Sequence, residues 1–98
     1  MSLPIVLRSE AEAEFDEAFN FYDFQRAGLG PTFAVEVQRV FDRIATKPLI
    51  HPIVFADIRK AVVRKFSYSV FYREHHNRIE VIAVFHGNRN PSEWKRRA

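Results

Sequence analysis

Hydrophobic residues recur with two different periods along this chain of 98 residues. Between residues 9 and 47 they are spaced three or four positions apart, which is the spacing of an amphipathic helix. After Pro52 the spacing changes to two, and the segments are rich in Val, Ile, Phe and Tyr, as in β-strands. A short apolar run at residues 3–7 predicts one further strand ahead of the helical region. The chain is therefore predicted to run from a strand through helices into a sheet.

The helical region divides into two predicted helices. Gly28 and Gly30 end the first helix, and Pro31 suits the first position of the second because no helical bond needs its missing N–H there. Pro48 closes the second helix, since proline forces the preceding residue out of helical geometry. The short connection predicts an antiparallel helical hairpin. The two apolar stripes comprise Ala11, Phe15, Ala18, Phe19 and Tyr22, then Phe33, Val37, Val40, Phe41 and Ile44.

The first helix is predicted to begin with a capping box. Ser9 and Glu12 stand three positions apart, so the Ser9 hydroxyl can accept from the Glu12 N–H while the Glu12 carboxylate reaches back to Ser9. Five acidic residues crowd the first turns, where the helix dipole favours negative charge. The dipole explains this cluster better than acid–base catalysis does.

Four strands are predicted after Pro52, at residues 53–57, 59–66, 68–74 and 78–86. Short connections make consecutive strands antiparallel neighbours. The predicted fold is α+β with the order β-α-α-β-β-β(-β): an N-terminal strand, an antiparallel helical hairpin, then a curved antiparallel sheet of three to four strands. Both helices are expected on one sheet face. Two cores would be too small in a chain of this length, so residues 1–98 are expected to form one domain.

Composition narrows the chemistry that the chain can perform. It has no cysteine, which argues against a disulfide scaffold, a thiolate nucleophile and a Cys-ligated metal. Its four histidines lack the spacing of metal ligands, so neither a metal nor a cofactor is expected. No apolar run approaches the ~20 residues that span a bilayer, and no secretory signal is evident. The protein is therefore expected in the cytoplasm, without membrane contact.

Charge is divided unevenly along the chain. Residues 1–58 carry five Lys/Arg against nine Asp/Glu, whereas residues 59–98 carry ten against three, so a net charge of +3 hides a strongly basic C-terminal part. That part coincides with the predicted sheet. A basic sheet face favours a polyanionic target, which can be nucleic acid, a nucleoprotein or an acidic partner protein. The alternative is a solvated charged face that binds nothing.

Several basic side chains could contact such a target. Arg59, Lys60, Arg64 and Lys65 lie on one predicted strand, where successive residues point to opposite faces, so only one of each adjacent pair can belong to a shared site. Arginine suits phosphate because its planar fork makes bidentate contacts. Protection of a sheet edge and solubility are the alternative roles for these residues.

The end of the last predicted strand and the tail carry further candidates. His86 could act as a general acid or base on an RNA phosphodiester, or could only bond a nearby loop. Arg73 lies on the preceding strand, and Arg89 follows His86 in the tail. Trp94, in the same polar tail, either folds back to cover the sheet or contacts a partner.

Taken together, these features resemble the RelE/ParE superfamily of toxins from bacterial type II toxin–antitoxin systems, more closely its ParE-like branch. The resemblance rests on an Arg-bearing strand with a Phe-x-Tyr corner (residues 59–68), a Tyr-Arg pair (residues 72–73), and an apolar strand ending in His86 before an Arg-x-Pro tail. It covers nearly the whole chain. It implies a role in plasmid or genome stabilisation, a cognate antitoxin that wraps the toxin, and toxin–antitoxin assemblies of higher order.

The resemblance implies one of two activities. ParE-like members inhibit DNA gyrase, whereas RelE-like members are ribosome-dependent endoribonucleases that cut mRNA. In an endoribonuclease, the resemblance assigns the catalytic roles to Arg64, Arg73 and His86. Residues expected to bind the target, whether gyrase or ribosome-bound mRNA, are Arg59, Lys60, Arg64, Lys65, Arg89 and Trp94.

Gyrase inhibition without catalysis is the preferred interpretation. The chain departs from RelE-like nucleases in its tail, where Trp94 is the only aromatic residue after His86, and in its thin lysine cluster of Lys60 and Lys65. No carboxylate on the central strands is clearly placed as a base, and Asp57 is the nearest. The chain thus supplies cations that can stabilise charge at a phosphate, but no clearly placed group that transfers a proton. A non-toxic nucleic-acid-binding module is the third interpretation.

Overall fold

The computed structural model describes residues 2–98 and folds them into a five-stranded sheet with three helices. In chain order the elements are β1 (Ile5–Leu7), α1 (Ser9–Gln25), α2 (Leu29–Thr46), β2 (Ile53–Phe55), β3 (Ile58–Val62), β4 (Tyr68–Glu74), β5 (Ile79–His86) and α3 (Ser92–Lys95). The predicted α+β fold, with a strand, a helical hairpin and a sheet in that order, is confirmed.

The sheet has the strand order β1-β5-β4-β3-β2. Its last four strands are antiparallel neighbours, as predicted, and the β4–β5 pair runs from Tyr68 opposite His86 to Glu74 opposite Ile79. β1 joins the same sheet beside β5, in parallel, with Ile5 opposite Ile79. The sheet is therefore mixed and five-stranded rather than purely antiparallel. The pairing of β1 with β5 was not predicted, because the spacing of apolar residues does not identify the partner of a strand.

The turn between β3 and β4 begins earlier than predicted. β3 ends at Val62, and Lys65 has a φ of 70°, a left-handed conformation that does not belong in a regular strand. Arg64 and Lys65 therefore lie in an exposed turn, so the predicted alternation of faces does not apply to them. Ala56, with a φ of 52°, follows the shortened strand β2, which ends at Phe55.

The predicted capping box does not form. α1 begins at Ser9 itself, and the Ser9 hydroxyl donates to the Glu10 carboxylate at 3.3 Å. Arg8 is the N-cap residue, and its carbonyl accepts from the N–H of Glu12. The N–H of Arg8 donates to the Val81 carbonyl and so extends the contact between β1 and β5. The chain passes directly from the sheet into the helix, which leaves no separate residue for a side-chain cap.

The start of α2 is capped by a side chain from α1. One carboxylate oxygen of Asp23 accepts the backbone N–H groups of Gly28 at 2.9 Å and Gly30 at 3.2 Å. Negative charge is favoured at a helix N-terminus, where N–H groups lack helical partners. Gly28 has a φ of 91°, and a Cβ added to Gly30 would lie 2.8 Å from the Asp23 Cβ and 2.9 Å from the Phe19 carbonyl oxygen. The hairpin therefore closes through a contact that glycine makes possible.

Both faces of the sheet are covered. α1 and α2 pack on one face over the main core, in which Phe33, Ile44 and Tyr72 are fully buried. On the other face, here called the outer face, Trp94 of α3 stacks on Phe71 with 4.1 Å between ring centroids. Successive strand residues point to opposite faces, so the strands can contribute to both cores. The second core comprises Ile58, Phe71, Ile82, Ala83, Phe85 and Trp94.

Gly30→Ala is expected to lower the free energy of unfolding by about 1–3 kcal/mol, because the added methyl group overlaps Asp23 and the backbone of α1. The preference of helices for alanine over glycine, about 1 kcal/mol, acts in the opposite direction and is no larger. Urea unfolding measures the change. Gly87→Ala is the matched control, since its Cβ would meet the Ser67 carbonyl at 3.6 Å, an ordinary contact. Equal stability of the two variants would contradict the close-approach argument.

Candidate functional site

A groove of about 320 Å³ opens on the outer face of the sheet. Strands β2 to β5 contribute its floor, and the C-terminal tail, residues 87–98, contributes one wall. Lys60 reaches the groove because it lies on the same face of β3 as Ile58, a residue of the second core. Phe71 and Phe85 are buried floor residues, and Trp94 closes one side.

The groove is bordered by cations and aromatic rings. Its basic side chains are Lys60, His86, Arg89 and Lys95, and none of the residues that line it carries a carboxylate. The Lys95 ammonium lies 5.2 Å from the centroid of Phe55, and the Arg89 guanidinium lies 4.4 Å from that of Phe85. These two cations therefore lie over aromatic faces, and the Arg89 guanidinium also pairs with the carboxylate of Glu93. The arrangement suits an anionic ligand that also presents flat or apolar groups.

His86 lies at the rim of this groove with one ring nitrogen engaged. Its Nδ1 accepts the backbone N–H of Asn88 at 3.0 Å, so the neutral ring carries its proton on Nε2. The Tyr68 ring meets His86 edge to face at 5.1 Å between centroids. Burial, followed by the neighbouring Tyr22, raises the pKa of the Tyr68 hydroxyl. Tyr68 is therefore a neutral phenol at physiological pH.

Arg59 has a structural position outside the groove. Its Nη1 donates to the carbonyl of His51 at 2.7 Å and to that of Leu49 at 3.3 Å, which holds the loop before β2. Its neighbour Lys60 lies on the opposite face, as the predicted alternation requires. Burial, together with the charges of Arg43 and Arg59, lowers the pKa of His51.

The structure separates the other predicted target-binding residues. Arg64 and Lys65 lie exposed in the β3–β4 turn, whereas Arg89 lies in the groove wall. Trp94 is 4% exposed, so the indole covers the sheet and presents little of its ring to a partner. Of the two roles considered for Trp94, the structure places it in the covering one.

Arg73 is occupied by acidic partners at the far end of the sheet. Its Nε donates to Asp57 at 2.8 Å, and its Nη1 lies 3.8 Å from Glu80. Arg73 stands five residues along β4 from Tyr68, the residue opposite His86, and this corresponds to roughly 17 Å. Arg73 and His86 therefore do not converge on one phosphate, and the predicted catalytic trio is not assembled into a single site.

Sequence reasoning missed part of the groove. Phe55, Phe71 and Phe85 read as ordinary strand residues, and only the fold shows that they support or floor the site. Lys95 stands next to Trp94 in the tail, and its position beside the groove depends on the tail folding back. Within residues 2–98, no His, Asp and Glu side chains form a group that could hold a metal ion. None of the helices described is long and apolar enough to cross a membrane.

The fold and groove define a small α+β domain with a basic groove on one face of its sheet. A family model described as the ParE toxin of the type II toxin–antitoxin system parDE matches residues 5–91. The chain therefore belongs to the ParE toxin family of type II toxin–antitoxin systems.

Individual relatives agree with this family. The chain is similar to Toxin ParE2 from two strains of Mycobacterium tuberculosis, with 29% identity over 93 residues, covering 94% of this chain and 89% of each relative. Among solved structures, a chain of the chromosomal ParDE toxin–antitoxin system from P. aeruginosa superposes with a TM-score of 0.73. The alignment covers 87% of this chain and 96% of that one at 11% identity, so it supports the fold alone.

Glu80→Gln is expected to weaken the dependence of stability on acid pH. Burial alone raises the pKa of Glu80, but the hydrogen bond with His75 and the charges of Arg73 and Arg8 outweigh it, so the pKa is lowered. A lowered carboxylate pKa stabilises the fold above the unfolded value of about 4.3, and that contribution disappears as pH falls through the folded value.

This expectation is checked by measuring the urea midpoints of the wild type and the variant between about pH 3 and pH 7. The range is set by the ordinary carboxylate pKa of about 4. Glu74→Gln is the matched control, because it removes an exposed carboxylate at the end of β4. An acid dependence of Glu80→Gln as steep as that of the wild type would contradict the assignment.

Proposed function

We propose that this protein is a cytoplasmic toxin that inhibits DNA gyrase by binding it, and that a cognate antitoxin neutralises it. Membership of the ParE toxin family supports the toxin–antitoxin part of the proposal. The observation that carries the gyrase part is the composition of the groove, which offers cations and aromatic rings without an assembled acid–base group.

Chemistry on a phosphodiester needs proton transfer and charge stabilisation at one phosphate. The groove supplies cations, but the residues that line it include no carboxylate, and Arg73 lies roughly 17 Å along the sheet from the residue opposite His86. Binding alone has no such requirement. A basic, aromatic surface suits gyrase because that enzyme works on DNA. Such a surface can contact the enzyme and its polyanionic DNA together.

Two surfaces at the same end of the sheet contribute to target binding in this proposal. The first is the groove, with Lys60, Arg89 and Lys95. The second is the β3–β4 turn with Arg64 and Lys65, which lies next to the end of β5, since the N–H of Gly87 donates to the Ser67 carbonyl. In this proposal the two surfaces are parts of one target-binding region.

Replacing Lys60 and Lys95 by alanine together is expected to raise the protein concentration that halves gyrase supercoiling by about 5- to 30-fold, because each exposed cation contributes about 0.5–1 kcal/mol. Supercoiling assays with purified, antitoxin-free protein measure this. Arg39→Ala is the control for the loss of one cation, to be compared with each lysine variant alone, since Arg39 is an exposed cation on α2, across the sheet from the groove. Supercoiling left untouched by the wild-type protein would refute the proposal.

A ribosome-dependent mRNA endoribonuclease is the second candidate, and the position of His86 at the groove rim beside Lys60 and Arg89 favours it. Primer extension on a translated mRNA after brief induction separates the two functions. Ribosome-phased cuts that disappear in His86→Ala would establish the endoribonuclease. Growth arrest without cuts would support gyrase inhibition.

The antitoxin segment that binds this chain is expected to be amphipathic and net acidic, to match the basic C-terminal part. Its association rate constant should fall by about tenfold or more as salt is raised to ~0.5 M, because salt screens electrostatic steering. Stopped-flow mixing measures this rate. The salt slope should be smaller for Lys60→Ala than for Arg39→Ala, each of which removes one cation. A rate constant that does not change with salt would contradict charge complementarity.

A further inference from the structure

Glu14 is a buried carboxylate on α1 whose side-chain partners come from the C-terminal tail. Its side chain is 8% exposed, and it pairs with both terminal nitrogens of Arg97, at 3.0 Å to Nη1 and 2.8 Å to Nη2. Arg89 Nη1 lies 3.5 Å from the same carboxylate. An unpaired buried charge is strongly destabilising, and the bidentate fork of arginine compensates it best. The three residues, here called the Glu14 cluster, therefore tie the tail to α1.

The Glu14 cluster also completes the edge of β5. β1 ends with Leu7 opposite Val81, so within residues 2–98 the following part of β5 has no strand neighbour on that side. The Ile82 carbonyl there accepts from Arg97 Nη1 at 3.1 Å, and the Val84 N–H donates to Glu14 at 3.1 Å. A helix residue and a tail residue thus provide the hydrogen bonds that another strand would make.

The sequence around Glu14 makes this contact possible. Glu14 lies between Ala11 and Ala18 on the inner face of α1, and both alanines are fully or almost fully buried. Small side chains on either side let the helix approach β5 closely enough for a carboxylate to reach the strand backbone. Glu17, one turn further along the same helix, is exposed.

The tail held by the Glu14 cluster is also one wall of the groove. Arg89, Pro91, Trp94 and Lys95 all line the groove, and Arg97 stands two residues after Lys95. Further fixed points of the tail include the stacking of Trp94 on Phe71, the bond from the Gly87 N–H to the Ser67 carbonyl and a 3.3 Å bond from Arg73 to the Ala98 carbonyl. Arg97 is the tail residue with a bidentate bond to a buried carboxylate, so it ties the wall to α1.

We propose that Glu14 is a positioning residue for the groove: it lies outside the groove and acts through Arg97 and Arg89 to hold the tail in place. Loss of its charge removes the ion pairs with Arg97 and Arg89, and the tail then detaches from the outer face under conditions where the rest of the fold persists. This inference rests on the proposed function only where it treats the groove as the target-binding surface.

Trp94 is the single tryptophan in the chain, so its fluorescence reports on the tail without a label. Glu14→Gln is expected to shift its emission to the red and to raise its acrylamide quenching constant several-fold, while the far-UV circular dichroism stays native. Glu17→Gln is the matched control, because it removes the same charge from an exposed position of α1. That variant should keep Trp94 as shielded as in the wild type.

Arg97→Gln tests the same contact from the tail and remains informative if Glu14→Gln does not fold. Trp94 shielded as in the wild type in every folded variant of the cluster would overturn the inference. In supercoiling assays, loosened variants should lose potency about as much as the Lys60→Ala and Lys95→Ala double variant. A loosened Trp94 with potency unchanged would overturn the positioning role. A wild-type protein that does not affect gyrase would refute only the proposed function, since the fluorescence test does not involve gyrase.

Discussion

The β4–β5 strand pair is buried on both faces, and much of the fold follows from the need to cover it twice. Tyr72 and Val84 belong to the core under the hairpin, whereas Phe71 and Phe85 belong to the core on the outer face. The two covers are very unequal. Helices of 17 and 18 residues cover one face, and a four-residue helix carrying Trp94 covers part of the other. The groove exists because the second cover is too small to fill its face.

Charge pairing decides which basic residues remain available in this protein. The acidic residues of the first half lie mostly on the hairpin, so they do not neutralise the outer face. Glu14 is an exception, since it reaches β5 and the tail. Arg73 is held by Asp57 and Glu80, whereas Lys60 and Lys95 border a groove without carboxylates. A basic segment therefore keeps available cations only where the fold leaves them without acidic neighbours, and Arg89, which pairs with Glu14 and Glu93, is less available than the two lysines.

The spacing of hydrophobic residues correctly predicted the two long helices and most of the strands. The stripe of Phe33, Val37 and Ile44 is buried as predicted, because a helix on a sheet hides one face whatever its exact docking. The capping box failed for a specific reason: Arg8 is still held by the backbone of β5 and becomes the cap itself. Arg64 was assigned to a strand because Val62 and Val63 precede it and Phe66 follows, yet the chain turns at Lys65. The β-propensity of neighbouring residues does not predict such a turn.

The candidate site was only partly predictable. Lys60, His86 and Arg89 were identified as candidates from residue type and position, and the fold brings all three to one groove. The sequence by itself determined the α+β order, the hairpin and the basic C-terminal part, because these depend on local spacing and composition. Only the tertiary structure decided that β1 lies beside β5, that Trp94 covers the sheet, and that Arg73 lies far from His86. Each of these depends on contacts between residues distant in the chain, which no local pattern encodes.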